Sequence, residues 1–195
     1  MADRTLSAAS VFGDHMVLQR GMLVPVWGTA EAGSTVTVRF AGQKHKTKTS
    51  KAGQWRIVLN SMKASAKSRK MAIASGAAVL SFEDILVGEV WLCSGQSKMQ
   101  FKLANCTDAE SVIEEANHPS LRLNKENGWM RASPESVPEF SGVAYFFGRK
   151  FQADTNVPVG LIARALGGTP VEWWTPESKV SRVSYAKAAL AISSK

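Results

Sequence analysis

The hydrophobic rhythm of the chain changes once, near residue 84. Before that point apolar positions come in short bursts. Residues 11–12, 16–18 and 23–27 are brief apolar pieces. Residues 35–40 alternate strictly, with Val36, Val38 and Phe40 on one face and Thr35, Thr37 and Arg39 on the other. That period of two marks a half-buried strand. Gly42 leads into a polar alternating run over 44–50 that keeps lysine on one face. Ala52-Gly53 marks a turn before the strand-like 55–59, and Gly76 separates 71–75 from 79–82. Short strands at this spacing predict an antiparallel sandwich or barrel.

Beyond Asp84 the pattern is different. Residues 85–93 are nearly all apolar, as in a strand buried on both faces of a parallel sheet. A polar helix is expected over 108–117, capped by Thr107. Residues 121–123 predict a short strand, and 124–139, with Gly128, Pro134 and Pro138, a loop. Apolar residues at 143, 146, 147 and 151 predict a helix over 141–154. A second buried strand is expected over 157–163, running into Gly167-Gly168-Thr169-Pro170 and then Val171-Glu172-Trp173-Trp174. This strand–loop–helix order argues α/β. The expected organisation is a β-rich sandwich- or barrel-like accessory domain over residues 1–83. A partial α/β domain with a parallel sheet follows over residues 84–195.

Composition narrows the classes. Of 195 residues, 45% are hydrophobic and 21% charged, which excludes wholesale disorder, collagen and a disulfide scaffold. The apolar stretches fall well short of the roughly 18–20 residues of a membrane span, so none is expected. The net charge of +8 lies entirely in residues 1–83, which hold 12 Lys/Arg against 4 Asp/Glu. Lys44, Lys46, Lys48 and Lys51 form one cluster; Lys63, Lys67, Arg69 and Lys70 form another. Such a face could attract nucleic acid, an anionic surface or acidic sugars. It also fits a solvated face, or lysines that guard sheet edges. Aromatic residues are not interleaved with the lysines as base-stacking platforms would be, so no nucleic-acid partner is expected. Cys93 and Cys106 are too few for a disulfide framework or a metal cage, and their pairing would require an exported protein. Neither CxxC nor HExxH occurs, so no metal and no cofactor is inferred.

The segment VGEVWLCSGQSKM, residues 87–99, is the candidate for chemistry. It puts Ser97 just past the carboxyl end of a buried strand, where ligand sites of open α/β sheets gather. Gly95 permits a sharp turn beside it. A helix beginning there would offer free backbone N–H groups to an oxyanion. Met99 occupies the last glycine position of GxSxG, so this is not the usual α/β-hydrolase elbow. Taken alone, the serine fits a helix cap equally well.

Five motifs follow in order: VFGDHMVLQR, VPVWG, VGEVWLCSGQSKMQ, AYFFGR, and VPVGLI with GGTPVEWW. Together, across residues 10–178, they resemble the sialate O-acetylesterase family of SGNH-type (GDSL-like) hydrolases. The resemblance implies a β-rich domain before an SGNH-type α/β domain. It also implies release of acetyl groups from O-acetylated sialic acids or related sugars as the partner substrate. By position, Ser97 matches the family's nucleophile, and its own N–H one oxyanion donor. Gly95 and Gln96 flank it in the motif. Gly168 is the choice for a second donor, with Thr169 in the same glycine loop. Trp173 or Trp174 would stack on a sugar ring; both also fit core packing.

Two departures stand out. Lys98 replaces the asparagine that follows the family's nucleophile, and the family's Asp-x-His-like segment, which supplies the base, does not occur. The histidines are His15, His45 and His118. His15 falls in the DHMVLQ motif and reads as structural, His45 on the lysine-rich strand, and His118 at the surface after a helix. The sequence thus reads as a shortened relative. Three functions stay open: a serine esterase, a glycan-binding module without turnover, and a fragment that self-associates through an exposed sheet edge. The start MADRTLSAAS lacks a secretory signal, whereas the resembled family is usually exported, so the compartment stays open.

Overall fold

The computed structural model describes residues 6–126 and 128–180. Its strands are β1 (Ser7–Ala8), β2 (Val17–Gln19), β3 (Val24–Thr29), β4 (Thr35–Phe40), β5 (Gln43–Lys48), β6 (Gln54–Leu59), β7 (Ser65–Ser75), β8 (Ala78–Gly95), β9 (His118–Lys125), β10 (Gly128–Ala132) and β11 (Val159–Ala165). The α-helices are α1 (Ser97–Gln100), α2 (Ala109–Glu114), α3 (Gly142–Thr155) and α4 (Glu177–Val180). One sheet has the order β1-β3-β6; the other runs β10-β9-β11-β8-β7-β4-β5, with β2 also on β8. The large sheet is mixed: β11 is parallel to both β8 and β9, while the β7, β4 and β5 pairings are antiparallel. No described helix is long and apolar enough to cross a membrane.

The alternating strands behave as their patterns dictate. Val36, Val38 and Phe40 of β4 are buried, and so are Trp55, Ile57 and Leu59 of β6. They meet Val26, Met71, Ile73 and Ile85 in a first core between the two sheets. Lys44, Lys46 and Lys48 of β5 all point to solvent. Gly28 is required where β1 crosses β3, because a Cβ there would lie 2.0 Å from the Ser7 carbonyl oxygen.

A second core gathers Leu121, Leu123, Val159 and Leu161 from the parallel strands with Phe140, Ala144 and Tyr145. Helix α3 approaches the sheet through Gly148, where a Cβ would meet Leu161 Cδ1 at 2.5 Å. Ser141 caps this helix, accepting a hydrogen bond from Ala144 N at 3.1 Å.

Several expectations are corrected. The strands read as separate over 79–82 and 85–93 are one, β8, which runs through Asp84 without a break. Asp84 adopts a left-handed conformation (φ 53°), so the strand bends there instead of ending. The expected burial of 85–93 on both faces holds only to Gly88: Glu89 and Val90 are half-buried, Trp91 and Leu92 exposed, and Cys93 alone is buried again. The reason is that β8 beyond Gly88 is paired on one side only, by β11. The expected loop over 124–139 contains β10, a five-residue strand too short to show a period beside its flanking glycine and proline. Helix α2 is shorter than expected, and Asp108 rather than Thr107 stands at its cap, in the left-handed region and without a side-chain cap bond. The apolar positions of α3 divide: Phe146 and Phe151 are half-buried against the second core, whereas Val143 and Phe147 are exposed. Tyr145 and Ala144 face inward, while Phe147 and Phe151 pack edge-on around Trp91 at 5.2 and 5.6 Å between ring centroids.

The two cores are stitched together at Asp84. Its Oδ2 accepts hydrogen bonds from Arg122 Nη1 (2.7 Å), Arg131 Nη2 (2.7 Å) and His15 Nδ1 (2.8 Å). Burial would raise this carboxyl, but the bonds from Arg122, His15 and Arg131 outweigh burial and hold it well below the usual carboxylate range. Trp129 makes the second stitch, leaving β10 to join the first core and donating from Nε1 to Val11 O at 2.7 Å.

Both cysteines are free, so the pairing considered above does not form. Cys93 is buried, which pushes its thiol up, whereas Cys106 is partly exposed. Titration with a thiol-specific disulfide reagent at neutral pH is expected to give one fast thiol and one slow one. Cys106→Ser should remove the fast phase; loss of the slow phase instead would overturn the assignment.

Candidate functional site

Ser97 is held by the meeting of three turns. Strand β8 ends at Gly95, whose φ of 152° a residue with a side chain rarely adopts. A Cβ there would come to 3.3 Å from Met99 Cβ, so glycine lets α1 fold back over the strand end. Gln96 occupies the cap position of α1, with its carbonyl accepting from Gln100 N at 2.9 Å and its side chain making no cap bond. Ser97 is therefore the first residue of a one-turn helix, exposed, at the carboxyl end of the parallel sheet. The far end of α1 is tied to α3: Gly142 N donates to Phe101 O at 2.9 Å, and Ser141 Oγ approaches Met99 Sδ at 3.5 Å.

The glycine loop after β11 closes over this helix. Leu166 N donates to Gly95 O at 3.2 Å, and Gly167 N to Gln100 Oε1 at 2.7 Å. A Cβ on Gly167 would lie 3.3 Å from Ser97 Oγ, so Gly167 is the loop residue set against the serine. Gly168 follows in a left-handed conformation (φ 77°) with open space where its side chain would be. Thr169 is buried and works as a staple: its hydroxyl donates to Leu166 O at 2.6 Å and accepts from Trp174 Nε1 at 2.9 Å. Trp173 is exposed, on a 3-10 turn spanning Val171–Trp174. The structure thus brings Ser97, Gly95, Gln96 and the glycine loop together, with Trp174 tied to that loop through Thr169 and Trp173 exposed beside it.

Two hollows flank Ser97. One, of ≈ 310 Å³, is lined by Ser97, Lys98, Phe101 and Val143 and is almost wholly apolar. The other, of ≈ 370 Å³, lies across the ends of β9 and β11 and includes Arg164, Lys102, Glu139 and Trp174. Beside it Arg164 Nη2 donates to Asn124 Oδ1 at 2.9 Å. Asn124 is fully buried, and its Nδ2 has no hydrogen-bond partner among the described residues. Sequence reading missed this pair because Asn124 fell in the expected loop. The available signal was the alternation Leu121-Arg122-Leu123-Asn124, which continues a strand.

The histidines are elsewhere. His15 is bound to Asp84, and His45 Nε2 lies 3.1 Å from Gln43 Oε1 on β5. His118 opens β9, three residues before Leu121, which is level with Glu89 through Val159. Ser97 follows the other end of β8; Glu89 to Gly95 alone spans roughly 20 Å at about 3.3 Å per residue, so His118 and Ser97 stand toward opposite ends of the sheet. Burial, with Arg149 nearby, lowers the His118 pKa. Among the described residues, Ser97 Oγ has no histidine or carboxylate bonded to it.

A mixed sheet with parallel strands, covering helices and a serine at a strand's carboxyl end defines an α/β class of protein. The family model for "Carbohydrate esterase, sialic acid-specific acetylesterase" matches residues 87–193, and the chain belongs to that family. Sialate O-acetylesterases of Rattus norvegicus and Homo sapiens are 30% and 31% identical to it over 199 residues, covering 86% of this chain. The chain spans 37% and 38% of the length of those relatives. A solved carbohydrate acetylesterase from Xanthomonas citri superposes with a TM-score of 0.85 at 28% identity, over 90% of this chain and 43% of that one.

Proposed function

We propose that this chain acts as a carboxylic-ester hydrolase on O-acetylated sialic acids or related acetylated sugars, with Ser97 as nucleophile. The observation that carries this is the placement of Ser97 against Gly167, at the carboxyl end of β8, in a chain of the sialic acid-specific acetylesterase family. In this reading Ser97 Oγ attacks the acetyl carbonyl carbon and gives its proton to a base. The N–H groups of Ser97 and Gly168 face the developing oxyanion. The sugar leaves as an alcohol after taking a proton, and water then releases acetate from the acetyl-serine. Trp173 offers a flat face to the sugar's C–H groups. Residues 1–83 serve in this reading as a β-rich accessory domain to an SGNH-type one.

The activating base is the open term, since a serine hydroxyl is a weak nucleophile without one. Ser97 Oγ lacks such a partner among the described residues, and this favours a second reading: sugar binding at the same place without turnover. The deciding experiment measures acetate release from O-acetylated sialic acid by the wild type and by Ser97→Ala. Release by the wild type, falling to the uncatalysed rate in Ser97→Ala, is the expected result. Release by neither protein, with binding of the sugar intact, would replace the esterase reading with the second one.

A further inference from the structure

The outer face of the β1-β3-β6 sheet carries a groove of ≈ 830 Å³ that has no part in the Ser97 site. Its floor follows from strand register. Ser7, Thr29 and Gln54 form one cross-strand row, and Trp27 lies directly opposite Arg56 in the next. Alternation sends Val26, Trp55 and Ile57 into the core, so Trp27, Gln54 and Arg56 must face outward. Trp27 is 42% exposed, an unusual position for the largest apolar side chain. Phe12 steadies it edge-on, with ring centroids 4.9 Å apart, and leaves its indole N–H without a hydrogen bond among the described residues.

We propose that this groove binds a carboxylate-bearing sugar. A fixed, exposed indole offers a flat apolar surface to the C–H face of a pyranose ring, and its N–H a donor at the rim. Arg56, across the strand pair, presents a fork of N–H donors that matches a carboxylate. Gln54 and the Ser7–Thr29 hydroxyl pair, 2.7 Å apart, supply the hydrogen-bonding groups that sugar hydroxyls need. Charge complementarity selects an acidic sugar over a neutral one. Arg56 is the one charged side chain among the described residues that line the groove, and no carboxylate stands among them. This inference stands apart from the Ser97 reading, since it concerns another surface and is tested with a sugar that has no ester.

The test is a 1H–15N correlation spectrum of the whole chain titrated with unacetylated α2,8-linked sialic acid trimer, and separately with maltotriose. The Trp27 indole resonance is assigned by its loss in Trp27→Phe. It is expected to shift saturably with the acidic trimer and not with maltotriose. Arg56→Gln, an exposed change that keeps the sheet intact by its unchanged melting temperature, should weaken acidic binding on the order of tenfold or more. An unmoved Trp27 resonance, equal shifts with both sugars, or undiminished binding in Arg56→Gln would each overturn the proposal. Shifts confined to the Trp173 and Trp174 resonances would do the same, placing the sugar at the Ser97 site.

Discussion

Asp84→Asn should destabilise the protein by about 3–5 kcal/mol, the range for breaking a buried ion pair from one side. Arg122 is the reason. Its side chain is only 3% exposed, and it spends its donors on Asp84, His15 O and Pro119 O. Without the carboxylate, a buried guanidinium charge is left uncompensated. The sign of the pH dependence follows from the depressed Asp84 pKa. The carboxylate's contribution is fully present above its unfolded value of about 3.9, and is lost as pH falls below that toward the folded value. Urea melts of the wild type between pH 7 and pH 2 should therefore lose stability below about pH 4. Asp84→Asn should start low and lack that component. A variant within 1 kcal/mol of wild type at pH 7 would show that the junction does not depend on this cluster.

Gly88→Ala is expected to cost about 3 kcal/mol or more, because the new methyl has nowhere to go. Its Cβ would lie 1.9 Å from Pro158 O and 2.6 Å from Pro158 C, both backbone atoms. The carbonyl of Pro158 cannot retreat freely, since it accepts from Glu89 N at 2.9 Å and begins the β8–β11 ladder. Gly33→Ala is the useful contrast. Gly33 has φ 75° and open space around its Cβ position, so it pays only the left-handed penalty of about 1–2 kcal/mol. Denaturant midpoints of the two variants measured together separate contact from conformation. A smaller loss in Gly88→Ala than in Gly33→Ala would mean that β11 moves aside.

Much of the first core was readable in the sequence because period-two alternation survives burial on one face. Strand β4 begins and ends at Thr35 and Phe40, as its pattern indicates, and β6 lies within one residue of expectation. The continuity of β8 was not readable. Asp84 and the alternation before it look like an ending, and what carries the strand through is tertiary: Arg122, Arg131 and His15, from 38 or more positions away. The same cause hid the role of Trp129, whose partners belong to the other core. At the site, the serine and its glycine turn were legible from one motif. Which glycine of the pair 167–168 touches Ser97 was not, because that depends on how the loop after β11 meets α1. Helix α3 lies close to the sheet at Gly148, and of its phenylalanines Phe146 and Phe151 pack against the second core while Phe147 turns to Trp91.

Strand β8 has a bearing on how such a chain could be assembled over time. Recombination usually succeeds at seams where few contacts cross, so that a unit can be exchanged whole. Here the change in sequence character near residue 83 falls inside an 18-residue strand, with β7 paired to it across that point, from Ala78 to Val87, and β11 from Glu89 onward. A splice there would sever the ladder in the middle. The two halves therefore travel as one inheritance.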